Sequence, residues 1–197
     1  MQGLVNRAVE RFVRDTYGRT TWLEIMRGLD LGFSEFEAML TYDPDITPRL
    51  LMAVAAALDR PETDILEDIG TYLVSHPNAA AVRRLLRFGG DTFEEVLHSL
   101  EDLPGRAALA VPDLYLPPMD VSEQAGGLFC LRIGTRDRPG QGYGHLAVGL
   151  FRALADDYGA LVMLDHKGAE AGTEHVQIEF LSADHAEGRR FSLGAAG

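Results

Sequence analysis

Six histidines are the residues of this 197-residue sequence best suited to hold a metal or to move protons, and they stand at positions 76, 98, 145, 166, 175 and 185. Their spacing matches no metal-binding pattern. Two acidic residues, Glu101 and Asp102, lie one helical turn from His98, and we interpret this group as exposed polar surface. The sequence shows neither a serine, histidine and acid set nor a glycine-flanked nucleophile, so nothing in it indicates hydrolysis. These residues predict no metal site and no enzyme.

The glycine-rich segment 139–145, which reads PGQGYGH, is a second candidate for chemistry. A phosphate-binding loop of the dinucleotide type needs G-x-G-x-x-G within a parallel strand–helix–strand unit. The segment has neither that spacing nor that context, so we interpret it as a turn that opens a helix. At the other end of this helix, Asp156 and Asp157 are expected to be solvated surface and not catalytic carboxylates.

The composition excludes several classes of partner. Thirty acidic against eighteen basic side chains give a formal net charge of −12, and such a field repels nucleic acid and anionic membranes. The single cysteine, Cys130, allows no internal disulfide and suits a reducing compartment. The longest apolar stretch, Leu50 to Leu58, is far shorter than the roughly 20 residues that cross a bilayer. We expect a cytoplasmic protein that binds neither nucleic acid nor membrane.

The elements that must position these residues fall into two parts, and the first is helical. From residue 1 to about 103 the apolar residues recur with helical spacing, beginning with a helix that stops at Tyr17-Gly18. The last helix of this part is predicted to run to Leu103 and to end at Pro104-Gly105. Capping residues predict the other helix starts, and these are Thr21, Ser34 with a short helix to Tyr42, Thr47, Thr63 or Asp64, His76 and Asp91.

The second part is predicted to form a sheet, because prolines at 112, 117 and 118 exclude a long helix. Strands are expected over 127–133, 160–164 and 175–181, with a hairpin connection over 167–173, a short edge strand at 191–193 and one helix over 142–158. Helices followed by an antiparallel sheet that one helix crosses indicate the α+β class. We expect one domain over 1–193, with a helical lobe (1–111), a sheet lobe (112–193) and a flexible tail (194–197).

Spaced motifs along nearly the whole chain resemble a known family. The opening 1–8 (MQGLVNRA) is followed by Tyr17-Gly18 and Trp22, and the later matches are 100–103 (LEDL), 111–114 (VPDL), 117–118 (PP), 149–151 (GLF) and 157–159 (DYG). With the order of elements, they resemble the heme nitric-oxide/oxygen-binding (H-NOX) family, to which the sensor domain of soluble guanylate cyclase belongs. The resemblance implies a fold that holds heme between a helical lobe and an antiparallel sheet.

The resemblance places the iron ligand of the family directly after Leu103, where this chain has Pro104. An acylated proline nitrogen has neither a proton to lose nor a basic lone pair for iron. The nearest histidine, His98, is six residues upstream, which is about 240° around a helix axis and so on another face. If heme is bound in another way, His98 and His145 are the alternative ligands.

The family also places a tyrosine, a serine and an arginine at alternating positions of the first long strand, where they hold the heme propionates. The matching stretch 131–138, LRIGTRDR, contains no tyrosine. Two alignments with the family, which differ by one residue, are possible. One puts Ile133, Thr135 and Asp137 at the three positions, and the other puts Arg132, Gly134 and Arg136 there. Arg136 or Arg138 can still meet an acidic group, although a solvated strand end is the simpler interpretation.

These two departures predict that heme is not bound in the usual way, so we expect no cofactor, with heme b as the alternative. A void of heme size is too costly to stay empty. Core side chains are therefore expected to fill it, and an apolar small molecule is the second option; the residues concerned are Leu73, Val74, Leu97, Met119 and Phe129. The resemblance implies a regulatory module with a signalling partner such as a kinase, a cyclase or a cyclic-nucleotide enzyme. The alternative is a heme gas sensor with another iron ligand.

Overall fold

The computed structural model describes residues 3–110, 116–135, 142–183 and 185–189. Two short 3-10 helices, Pro77–Ala79 and Ser99–Asp102, accompany the longer elements. These are α1 (Gly3–Tyr17), α2 (Arg19–Leu29), α3 (Ile46–Leu58), α4 (Glu62–Ser75), α5 (Ala80–Arg87), α6 (Phe93–His98), α7 (Leu103–Ala110), β1 (Met119–Gln124), β2 (Leu128–Gly134), α8 (Tyr143–Tyr158), β3 (Leu161–Glu170) and β4 (Thr173–Ser182). The chain divides into two compact units, Met1–Ile69 and Gly70–Gly197. Among the described helices, none has the length and apolar character to span a bilayer.

In the first unit, α1 to α3 pack around an apolar core that includes Val13, Trp22 and Leu50. One charged residue, Glu10, is fully buried in this unit. Its carboxylate accepts hydrogen bonds from Arg7 Nη1 and Arg14 Nη1, both at 2.7 Å. A buried carboxylate is tolerable only with such partners, because burial removes its hydration.

The predicted helix from Ser34 to Tyr42 is wrong, since the segment 31–42 contains no helix. The Trp22 indole donates to the Ser34 carbonyl at 2.8 Å, and the Phe36 N–H donates to Glu10 Oε2 at 2.8 Å. The Phe36 and Tyr42 rings pack edge to face, 5.1 Å between centroids. Helical backbone bonds are lost here because tertiary partners bind the same backbone groups.

Two predicted capping threonines lie inside their helices. Because α2 begins at Arg19, Thr21 is a helical residue, and its hydroxyl donates to the Tyr17 carbonyl at 2.9 Å. Because α3 begins at Ile46, Thr47 is also helical, and its buried hydroxyl donates to Asn6 Oδ1 at 2.6 Å. In both cases a nearby acceptor holds the hydroxyl that a cap would use.

Two other predicted helix starts are displaced by one or two residues. Helix α4 begins at Glu62, before Thr63 and Asp64. The capping box of α6 is made by Thr92 and Glu95, one position after the predicted start at Asp91. The start at His76 is confirmed, since its Nδ1 accepts from the Asn78 N–H at 3.2 Å.

The second unit contains a four-stranded antiparallel sheet in the order β1-β2-β4-β3. Strand β1 was not expected from the sequence. Inward residues of the sheet form the core with Phe93, Leu97, Phe151 and Leu154 from the helices of the unit. Helices followed by an antiparallel sheet that α8 interrupts give the predicted α+β class.

The hairpin between β3 and β4 is tighter than predicted, because β3 continues to Glu170 and only Ala171 and Gly172 connect the strands. Both residues have positive φ, 50° and 77°. That pair of angles matches the two-residue turn whose twist suits a β-hairpin. The expected edge strand at 191–193 lies outside the described residues.

Candidate functional site

Pro104, at the position where the resemblance places the family ligand, is the second residue of α7 and is half-buried. The prediction that it ends a helix is wrong. Helix α6 already stops at His98, the 3-10 turn Ser99–Asp102 follows, and α7 then starts at Leu103. Proline cannot donate to a carbonyl four residues earlier, but it fits the first turn of a helix, where that N–H has no intrahelical partner.

The apolar side chains expected at the heme position are packed into the core of the second unit. Leu97, Phe129 and Ile133 are 0%, 1% and 1% exposed. All three belong to the apolar core of this unit, where they pack against other buried side chains. Val74 is likewise 1% exposed, and Met119 packs against the same core, whereas Leu73 is only half-buried.

The pleat of β2 separates the two registers proposed for the propionate-binding stretch. Ile133 and Thr135 point to the core, at 1% and 3% exposed. Arg132 points the other way and forms an exposed ion pair with Asp120. Side chains alternate across a strand, so the inward series is the one through Ile133 and Thr135. Arg136 and Arg138 lie outside the described residues.

A partly buried polar cluster lies at the start of α8 and joins His145, His166 and Glu174, of which Glu174 is fully buried. His145 Nε2 is 3.0 Å from His166 Nδ1. His166 Nε2 lies 3.3 Å from Glu174 Oε2, close but without hydrogen-bond alignment. The same carboxylate oxygen accepts from the Gly144 N–H at 2.7 Å. A Cβ on Gly144 would lie 2.4 Å from His166 Cδ2, so only glycine allows this approach.

The environment of this cluster favours the neutral imidazole at His166. Burial is the largest influence and lowers the pKa of His166 below its ordinary value, and the neighbouring His145 lowers it further. Glu174 and Asp165 oppose this shift without cancelling it. Among the described residues, the buried atoms Thr135 Oγ1 and Glu174 Oε1 have no hydrogen-bond partner. This part of the core is therefore polar and incompletely paired.

His98, the other alternative ligand from the sequence, belongs to a separate surface group. Its Nε2 atom lies 3.4 Å from Glu123 Oε2, and both side chains are 48% exposed. Glu94 completes the group, with ligand atoms of all three residues within 4.8 Å of one another. The structure thus places His98 with carboxylates and His145 with His166 and Glu174.

Two polar groups were not predicted from the sequence, and strand alternation would have revealed the first of them. Glu174 lies on the inward face of β4 with Val176 and Ile178. His166 lies on the less exposed of the two faces of β3. Asp157 was expected at the surface but is 1% exposed. It forms an ion pair with Arg83, and Arg87 Nη1 donates to its carbonyl at 3.2 Å.

Comparison with known proteins agrees with this architecture. A sequence model of the haem-NO-binding family matches residues 2–166. The chain belongs to this family. Its members are H-NOX domains, which are sensors and normally bind heme. The family expected from the sequence motifs is confirmed, and the four-stranded sheet with its helices is the H-NOX fold.

Individual relatives are distant in sequence and close in fold. The soluble guanylate cyclase gcy-31 of Caenorhabditis elegans is 20% identical over 157 residues, and the match covers 80% of this chain but 22% of the cyclase. The H-NOX protein of S. oneidensis in its Fe(II)NO state has a TM-score of 0.76 at 18% identity, covering 92% of this chain and all of that one. A histidine-to-glycine mutant of the Shewanella oneidensis H-NOX domain in the Fe(II)CO state has a TM-score of 0.72 at 17% identity, covering 92% and 99%.

Proposed function

We propose that this chain is an H-NOX-type regulatory module that does not ligate heme iron in the usual way and is not itself an enzyme. The observation that carries the proposal is Pro104, which follows Leu103 at the position of the family ligand inside a match that spans residues 2–166. A proline nitrogen within a peptide bond offers iron no lone pair. No other side chain takes over that position on α7, because Pro104 itself occupies it.

Core packing supports the proposal. Leu97, Phe129 and Ile133 are buried against protein atoms, which agrees with side chains filling the space that a cofactor would need. Ile133 on β2 and Thr135 directly after this strand are both buried, and neither side chain has the positive charge that would neutralise a propionate. The residues described for this unit do not fit the usual heme ligation.

Titration with hemin tests the proposal directly. We expect the purified chain to give no saturable Soret band that survives desalting. The variant Pro104→His is expected to gain at most weak binding, because the packed core and the inward face of β2 are unchanged. A stable stoichiometric Soret complex of the wild-type chain would overturn the proposal. Full recovery by Pro104→His alone would show that the rest of the pocket is still shaped for heme.

A second candidate function is a heme-binding gas sensor with another iron ligand. One finding favours it, since an H-NOX relative with a histidine changed to glycine is known in the Fe(II)CO state. His98 and His145 are the candidate ligands in this chain. If a heme complex forms, His98→Gln and His145→Gln identify the ligand by a shifted Soret maximum, with His185→Gln as the control.

We further propose that residues 1–193 work as one module on a signalling partner such as a kinase, a cyclase or a cyclic-nucleotide enzyme. The gcy-31 match supports this, because the chain spans only 22% of that cyclase. The expected result is a change in the catalytic rate of the partner when the purified chain is added. Nucleotide or ester turnover by the chain alone would contradict the regulatory assignment.

A further inference from the structure

A second group of side chains, which could hold a metal ion, lies on the surface of the second unit. Glu94 and His98 stand four residues apart, so they share one face of α6. Glu123 on β1 faces them, and its Oε2 atom is 3.4 Å from His98 Nε2. One ligand atom from each residue lies within 4.8 Å of the other two. We propose that Glu94, His98 and Glu123 form a site for a divalent transition metal, with zinc as the defining ion.

The separation of the two closest atoms fits this assignment. Zinc binds imidazole nitrogen and carboxylate oxygen at about 2.0–2.2 Å, and a tetrahedral angle between such ligands places them about 3.4 Å apart. The pair His98 Nε2 and Glu123 Oε2 has that separation, 3.4 Å. A mixed set of imidazole and carboxylate suits zinc and its neighbours better than magnesium or calcium, which prefer oxygen ligands alone.

The fold positions each ligand for reasons that do not depend on a metal. The His98 ring packs edge-on against Phe129, with centroids 5.4 Å apart, which restricts its orientation. Glu95, and not Glu94, closes the capping box with Thr92, so the Glu94 carboxylate is left on the side of α6 that carries His98. Glu101 Oε1 also accepts from the Val121 N–H at 3.3 Å, which ties the following turn to β1.

Electrostatics gives the site its affinity for a cation. Glu94 and Glu123 bring two carboxylates close together in a chain whose formal net charge is −12. Like charges at this distance repel each other, and a divalent ion between them converts repulsion into attraction. Because β1 is an edge strand, the bound metal would fasten α6 to the rim of the sheet.

Calorimetric titration of the heme-free full chain with zinc sulfate tests the site. We expect one zinc per chain and affinity weaker by about tenfold or more in His98→Gln and in Glu123→Gln, because each removes one of three ligands. All three residues are exposed, so these variants are expected to keep the wild-type circular dichroism spectrum. At the same zinc concentration, the melting temperature should rise more in the wild-type chain than in the variants.

Two matched controls separate this site from other histidines. His185→Gln changes an exposed histidine outside both clusters and should bind zinc as the wild type does. His166→Gln removes a member of the partly buried cluster and should also leave the affinity unchanged. No saturable zinc binding, unchanged affinity in His98→Gln, or loss confined to His166→Gln would each overturn the proposal. None of these measurements uses heme, so the outcome is independent of the proposed function.

Discussion

At the scale of single residues, two of the carboxylates buried in the core pair with arginines. Glu10 in the first unit and Asp157 in the second are both fully buried, and each carboxylate is held by arginines. A buried carboxylate without partners costs several kcal/mol, so such residues are retained only with their partners in place. The arginines nearby have partly exposed side chains, which lets them reach a buried carboxylate while part of the guanidinium stays hydrated.

Asp157→Asn should therefore destabilise the chain by about 3 kcal/mol, because it removes the charge that Arg83 meets in the core. Asp156→Asn is the matched control, since Asp156 is the exposed neighbour and should change stability by no more than about 0.5 kcal/mol. Urea unfolding followed by circular dichroism measures both. Equal effects of the two substitutions would contradict the role assigned to Asp157.

The α6–α7 region shows how one residue type shapes a whole element. Between Phe93 and Ala110 the chain changes from α-helix to a 3-10 turn and back to α-helix. Pro104 requires such a break, because its ring would clash with the Leu100 carbonyl in a continuous helix. Because of this break, position 104 lies in the first turn of α7 and not in the middle of a longer helix.

Two substitutions in α7 test this assignment at the element scale. Pro104→Ala should cost only about 0.4–1 kcal/mol, mainly because alanine restores freedom to the unfolded chain. Ala108→Pro should cost about 3 kcal/mol or more, since position 108 is exposed but lies in the interior of the helix. Thermal unfolding compares them. A large gain in stability from Pro104→Ala would show that proline strains a helix that is otherwise continuous.

At the scale of the whole molecule, the His145–His166–Glu174 cluster links global stability to pH. The folded-state pKa of His166 is lowered, chiefly by burial and then by His145. Its contribution to stability is complete above the unfolded pKa of about 6.5 and is lost as pH falls through the lower folded value, because protons then bind the unfolded chain preferentially. Glu174, Asp165 and His145 are the charged or titratable groups that act on it.

We therefore expect the melting temperature of the wild-type chain to fall between pH 7 and about pH 5 more steeply than that of His166→Gln. His185→Gln, which changes an exposed histidine, should follow the wild-type curve. Differential scanning calorimetry at matched ionic strength measures the three curves. Parallel curves for wild type and His166→Gln would show that protonation of His166 is not coupled to folding.

Residue types at spaced positions were enough to predict the family and the α+β class, and they put Pro104 directly after Leu103. Periodicity also predicted β2 and α8 closely, since their apolar faces are regular. Local signals were sufficient wherever a single element buries one continuous face.

Which polar groups meet depends on the tertiary structure. The Thr47 hydroxyl bonds Asn6 and does not cap a helix, and the helix predicted from Ser34 failed because Trp22 and Glu10 take its backbone groups. The same reason explains the clusters around His98 and His166, whose members come from different helices and strands. Hydrogen bonds and ion pairs between distant segments depend on where the fold brings those segments together, and no local pattern in the sequence records that distance.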